Sequence, residues 1–232
     1  MKAITVALSF FFVFAVLAND QQMSPSISKA QNNKRQGIDQ YDNVDTEKSN
    51  LRHLQSGPNS GKRMAQWKKV HNDMRKKYHV EYGGEFTRIL WNMELKKDAE
   101  VWANEIVSNC VNRAPGPTKN PNNYGVNSAM RRGQRGFQSP ITVMKMWERR
   151  LPQGYPTNSV MTQVLWSKTG YVGCADASSP VGAEKSCTAS VCFYAKAGNC
   201  AFGRFGGTGN WTQAVLYGPA CSTSCPSTVE EC

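Results

Sequence analysis

Histidine is nearly absent: His53, His71 and His79 are the only three in 232 residues, and none follows His79. A zinc site of clustered Cys and His is therefore disfavoured, and any Ser/His/Asp or Cys/His catalytic arrangement has to draw on one of these side chains. Long apolar runs are lacking after residue 17, so nothing further along is built to cross a membrane. Cysteine is missing until Cys110. Acidic groups are too few to balance the basic ones, with 17 Asp and Glu against 28 Lys and Arg and a formal net charge of +11. That imbalance turns the chain toward anionic partners such as sulfated glycans or acidic membrane surfaces.

What is present begins with Lys2, an apolar run over residues 3–17, and Ala18 before Asn19-Asp20. This pattern predicts a secretory signal peptide over residues 1–18, cleaved after Ala18, since the run is short for a membrane span of about 20 residues. Secretion makes nucleic acid the least suitable anionic partner. It also places all 8 cysteines in an oxidising compartment, where the even count reads as four disulfides. Residues 19–62 are rich in Gln, Asn, Ser, Asp and Lys without any period, which predicts a low-complexity, disordered extension. The positive charge is clustered, with Lys62, Arg63, Lys68, Lys69, Arg75, Lys76 and Lys77 in one group and Arg131, Arg132, Arg135, Arg149 and Arg150 in another. Such runs are solvated faces or anion-binding patches.

From Met64 the character changes. Met64, Trp67, Val70, Met74 and Tyr78 recur at helical steps, and Leu95, Ala99, Trp102 and Ile106 form a second stripe ending near Cys110. A Pro/Gly/Asn-rich loop follows over residues 113–124. Ser139-Pro140 is a helix start, with Ile141, Met144, Trp147 and Leu151 on its apolar face. Residues 161–166, 171–175 and 189–194 are then short β-rich runs, which predict a small antiparallel sheet. Helices early and strands late, without alternation, predict an α+β fold.

Thr162-Gln163-Val164-Leu165-Trp166-Ser167-Lys168-Thr169 with Val172-Gly173-Cys174-Ala175 resembles the first signature of the CAP superfamily, and Cys192-Phe193-Tyr194-Ala195-Lys196-Ala197-Gly198-Asn199 resembles its second. His71-Asn72 with Arg75, and Trp91-Asn92 with Glu94-Leu95, match its first two helices. The chain is most similar to the helminth venom-allergen-like branch of that superfamily. The resemblance implies a CAP domain over residues 63–218, with a Cys-rich tail over 219–232. It further implies a three-layer α-β-α sandwich around a three-stranded antiparallel sheet, and disulfides Cys110–Cys187 and Cys174–Cys192. Cys200, Cys221, Cys225 and Cys232 remain, with three possible pairings.

The same resemblance implies a cleft holding two His and two Glu, a set able to bind a divalent metal or move protons. Here the matching positions are Ala114, Val126, Arg150 and Val160. None of them can ligate a metal or exchange protons near neutral pH, so no catalytic residue, metal or cofactor is expected. His71 reads as a structural helix residue. Asn210-Trp211-Thr212 is an N-glycosylation sequon. Two functions follow for a non-enzymatic secreted protein. The first is carriage of a small lipid, a sterol or fatty acid, against Trp67, Val70, Met74, Met144 and Trp147, whose stripes are equally those of helices packing on a core. The second is attachment of the basic surface to acidic glycans or to host surface proteins.

Overall fold

Capping side chains start the three helices that the apolar stripes predict, with the first beginning at Gly61, inside the 19–62 segment expected to be disordered. Ser60 accepts a bond from the Arg63 amide ahead of α1 (Gly61–Glu81), Asn92 from Leu95 ahead of α2 (Met93–Asn109), and Ser139 from Thr142 ahead of α3 (Pro140–Glu148). In this computed structural model the described residues are 59–110, 117, 120, 122–133, 136–179, 183, 186–200, 202, 210–229 and 232. They belong to a unit spanning Asn43–Cys232. The expected signal peptide, most of the N-terminal extension, Ala114 and Arg135 lie outside the described residues.

Four strands form one sheet: β1 (Leu90–Trp91), β2 (Gly125–Arg132), β3 (Tyr171–Ser178) and β4 (Cys187–Ala195), in the order β1-β3-β4-β2. β4 pairs antiparallel with both β3 and β2, while β1 runs parallel to β3 with Leu90 opposite Tyr171. The sheet is therefore mixed rather than purely antiparallel. β1 is too short to show any period, and its place is secured by the Leu90 amide on the Gly170 carbonyl (2.8 Å) and the Asn92 amide on Val172 (3.0 Å). A second correction concerns residues 161–166, expected as a strand, which lie almost wholly in a helix, α4 (Ser159–Leu165). Tertiary contacts override β propensity there, because two side chains of α1 occupy the carbonyls at the end of this helix. A last helix, α5, spans Trp211–Tyr217.

The sheet is the middle layer of an α-β-α sandwich. On one face, Leu95, Trp102 and Ile106 of α2 pack on Ala175, Val191 and Phe193. On the other, Trp67 and Val70 of α1, Met144 and Trp147 of α3, and Val164 of α4 pack with Cys174, Cys192 and Tyr194. Alternation along β4 feeds both cores, so all its residues are buried. Gly173 lets α2 cross close by, since a β-carbon there would strike the Leu95–Lys96 backbone.

Four disulfides are formed, including both that the resemblance implied. Cys110–Cys187 ties the end of α2 to β4, and Cys174–Cys192 joins residues directly opposite in the β3–β4 register. The open question of the tail resolves as Cys200–Cys221 and Cys225–Cys232. The two signature motifs also clasp each other. Thr162 Oγ1 donates to Asn199 Oδ1 (2.6 Å), the Gly198 amide to Gln163 Oε1 (2.8 Å), and Thr169 Oγ1 to the Lys196 carbonyl (2.7 Å).

His71 is fully buried, which lowers its pKa from 6.5 to about 4. The unfolded chain thus binds the extra proton first, so this contribution is complete above about pH 6.5 and is lost as pH falls toward 4. Denaturant titrations are expected to show the chain about 2–3 kcal/mol less stable at pH 4.5 than at 7.5 from this group. A His71→Gln variant should lose most of that difference; an unchanged pH slope would show that other groups cause it.

Candidate functional site

Three of the positions where the resemblance implied titratable groups converge on one cavity of about 590 Å³. β2 contributes Val126, Ser128, Ala129 and Met130, α3 contributes Met146, and Arg150 stands just beyond its end. Val160, in the first turn of α4, closes the wall with Ser159 and the preceding Pro156-Thr157. Arg150 is exposed while Val126 and Val160 are half-buried, so the cation stands at the edge of a mixed wall in which Ser128, Thr157 and Ser159 alternate with apolar side chains.

A buried polar chain holds this wall in position. His71 Nδ1 lies 2.8 Å from the Trp67 carbonyl, so it carries the proton and donates there. Nε2 is then the acceptor for the Tyr194 hydroxyl at 3.0 Å. Asn127 Nδ2 donates to both that hydroxyl (3.1 Å) and the Val160 carbonyl (2.7 Å), linking β2 to the start of α4. Burial pushes the Tyr194 phenol well above its ordinary range and pulls the His71 imidazole down to about 4. Both groups stay neutral at physiological pH and act as fixed connectors. Sequence reasoning identified His71 as structural but had no means of finding Asn127 and Tyr194, whose roles depend on sheet pairing.

The cavity does not fit a metal. Among the described residues lining it there is no carboxylate, imidazole or thiolate, and Arg150 adds a positive charge. Outside the cavity His71, Cys174 and Cys192 lie close together, but the two sulfurs are joined as a disulfide and offer no thiolate. His79 is also fully buried, its Nε2 donating to the Leu165 carbonyl (2.7 Å) and its Nδ1 accepting from the Thr87 amide (3.2 Å). His53 lies outside the described residues.

Trp67, Val70, Met74, Met144 and Trp147, the side chains proposed to meet a lipid, are all buried in the core shared by α1, α3 and the sheet. None of them lines the cavity, whose apolar wall comes from other residues. The first basic group is also smaller at the surface than its sequence suggests. Arg75 is fully buried, and Arg63 is bonded to the buried Asp176 (2.9 Å). Lys69 pairs with Asp73 (2.6 Å) and Lys77 with Glu148 (2.8 Å). Asn210 is exposed immediately ahead of α5 and accepts a bond from Thr212 Oγ1 (3.2 Å).

Residues 68–194 match the model of the cysteine-rich secretory protein family, CAP. No curated protein matches the chain by sequence. Among solved structures, the chain is similar to BmVAL-1, with 21% identity over 58% of this chain and 78% of that one and a TM-score of 0.44. It is also similar to a hookworm platelet inhibitor (14% identity, 62% of this chain and 75% of that one, TM-score 0.45). Venom allergen-like protein 4 of Schistosoma mansoni is a third (16% identity, 58% and 90%, TM-score 0.38).

If Ala114, Val126, Arg150 and Val160 stand at the four positions the resemblance implies, placing His and Glu there should create zinc ligation. A variant carrying Ala114→His, Val126→Glu, Arg150→Glu and Val160→His is expected to bind zinc in the micromolar range by calorimetry, where the unaltered chain binds none. Stoichiometric zinc uptake by the unaltered chain would overturn this reading of the cavity.

Proposed function

The chain belongs to the cysteine-rich secretory protein (CAP) family, and from that premise we propose that it is a secreted, non-enzymatic carrier of a small lipid, held in the cavity beside β2 and α4. The lining of that cavity is what supports the reading. Val126, Ala129, Met130, Met146 and Val160 offer apolar contact, and Arg150 is the one cation among the described lining residues. Thioether side chains adapt their shape to aliphatic chains. A volume of about 590 Å³ is that of a ligand pocket, for which about 300–1,000 Å³ is usual. The guanidinium at the rim favours a lipid ending in a carboxylate, which it can bind with two parallel hydrogen bonds. A fatty acid therefore suits the cavity better than a sterol, whose hydroxyl makes no such pair.

Secretion is supported by the leader-like first residues and by four disulfides. No helix among the described residues is long and apolar enough to cross a membrane. The absence of enzymatic activity is supported by the lining of the cavity and by the burial of both described histidines. A second reading, attachment to acidic glycans or a host surface protein, draws on the exposed Lys62, Lys76, Arg149 and Arg150. The two differ in salt response, because apolar burial survives ionic strength that screens surface charge.

Displacement of a fluorescent fatty acid tests the carrier reading. Arg150→Glu is expected to weaken uptake about tenfold, equivalent to about 1.4 kcal/mol, and Met146→Trp to block it by filling the wall. Lys62→Glu with Lys76→Glu should leave uptake intact while reducing retention on heparin at physiological salt. Uptake that ignores both cavity substitutions would place the lipid elsewhere.

A further inference from the structure

A separate cavity of about 410 Å³ is walled by Tyr78, Tyr82 and Trp211, with Glu148 at its side and Leu151 among its lining residues. It shares no residue with the lipid cavity. The rings are set at angles to one another. Tyr78 and Tyr82 have centroids 5.5 Å apart at 35°, and Tyr82 meets Trp211 nearly edge-on at 5.1 Å and 84°. Tyr82 and Trp211 thus pack edge to face on each other, and all three aromatic residues line the cavity.

The chemistry of this space is that of a receptor for positive charge. The faces of aromatic rings carry partial negative charge, and Trp and Tyr are the strongest such surfaces among side chains. Glu148 adds a full negative charge, oriented by the Tyr78 hydroxyl, which donates to its Oε1 at 2.6 Å. The protein's own lysine already reports the preference: Lys77 Nζ lies 4.5 Å from the centre of the Tyr78 ring and donates to the same Glu148 oxygen at 2.8 Å. Its side chain remains 53% exposed, so it can swing into water without unburying anything. Tyr78, by contrast, is buried and Glu148 only 23% exposed, so the receiving groups stay in place.

We propose that Tyr78, Tyr82, Trp211 and Glu148 form a binding site for a small organic cation of the alkylammonium class, with the Lys77 ammonium as its intramolecular competitor. A methylated ammonium is favoured over Lys77. It sheds water more easily than a primary ammonium, and its methyl groups contact ring faces and Leu151 where a lysine head offers only hydrogen bonds. The site is independent of the lipid reading, since neither its residues nor its ligand chemistry overlap with that cavity.

Choline is the probe, with its uncharged tert-butyl isostere as the control, titrated against the full secreted chain by calorimetry and by tryptophan fluorescence. Choline is expected to bind and the isostere not. Trp211→Ala and Tyr82→Ala should each weaken choline binding about tenfold, and Glu148→Gln should weaken it also, whereas Lys77→Ala should tighten it several-fold. Trp211→Phe, which keeps a ring face, guards against a folding artefact and should retain part of the affinity. Equal binding of the uncharged isostere would overturn the proposal by showing an apolar pocket only. So would the absence of choline binding in a Lys77→Ala variant that melts like the unaltered chain.

Discussion

A guanidinium with no water around it holds this fold together. Arg75 is fully buried and donates to the carbonyls of Thr87 (2.7 Å), Val164 (3.1 Å), Trp166 (2.9 Å) and Ser167 (3.3 Å). Burial pulls its pKa down to about 9, still high enough to keep it charged at neutral pH. A buried charge is tolerated only when its donors are satisfied, so these carbonyls must be where they are. Three of them lie at or just after the end of α4, where a helix leaves its last carbonyls without intrahelical partners and favours positive charge. His79 takes another carbonyl of the same turn, that of Leu165. Together they make α4 a helix and set the segment leading to β1 beside α1.

The same first helix is fastened at its other end by a buried anion. Asp176 in β3 accepts from Arg63 Nε (2.9 Å), from Trp67 Nε1 (3.1 Å) and from the Ser190 hydroxyl. Between these two charged anchors Asn72 behaves as an extra strand residue, exchanging bonds with the amide and carbonyl of Ile89. Losing one partner of such a buried pair costs about 3–5 kcal/mol, more than a typical disulfide contributes at about 2–4. Cys110–Cys187 braces the α2 side, Cys174–Cys192 the β3–β4 pair and the other two the tail, whereas polar anchors determine where α1 lies.

Both cavities follow from that placement. The His71–Tyr194–Asn127 chain starts on α1 and ends on the Val160 carbonyl, so the wall of the cavity beside β2 and α4 depends on where α1 sits. Tyr78 and Tyr82 belong to α1 and the turn after it, and α3 brings Glu148 against them. One cavity has a mixed lining with Arg150 at its edge, and the other is aromatic with a carboxylate. The two proposed sites thus differ in the charge each would favour in a ligand.

Local rules made much of this readable from residues alone. Capping by Ser139 and the apolar stripes of α1, α2 and α3 act within a few residues, and the structure has those helices. Val126, Arg150 and Val160 could be singled out as well, because they fall at fixed distances from recognisable motifs. Their convergence on a single cavity was not, since it depends on β2 pairing with β4 and on α4 turning back beside them. Nor were the two-residue β1, the helical state of residues 161–166, or the inward turn of Arg75 and Arg63 from what reads as a basic run. Arg63 finds Asp176 across 113 residues, and the partners of Arg75 are backbone carbonyls, which carry no side-chain signature. The sequence by itself determined helices α1, α2 and α3 and the cysteines available for pairing, because those depend on neighbours along the chain. Only the tertiary structure decided which charges are buried, how the last cysteines pair and which rings face one another, because those depend on groups the chain brings together from afar.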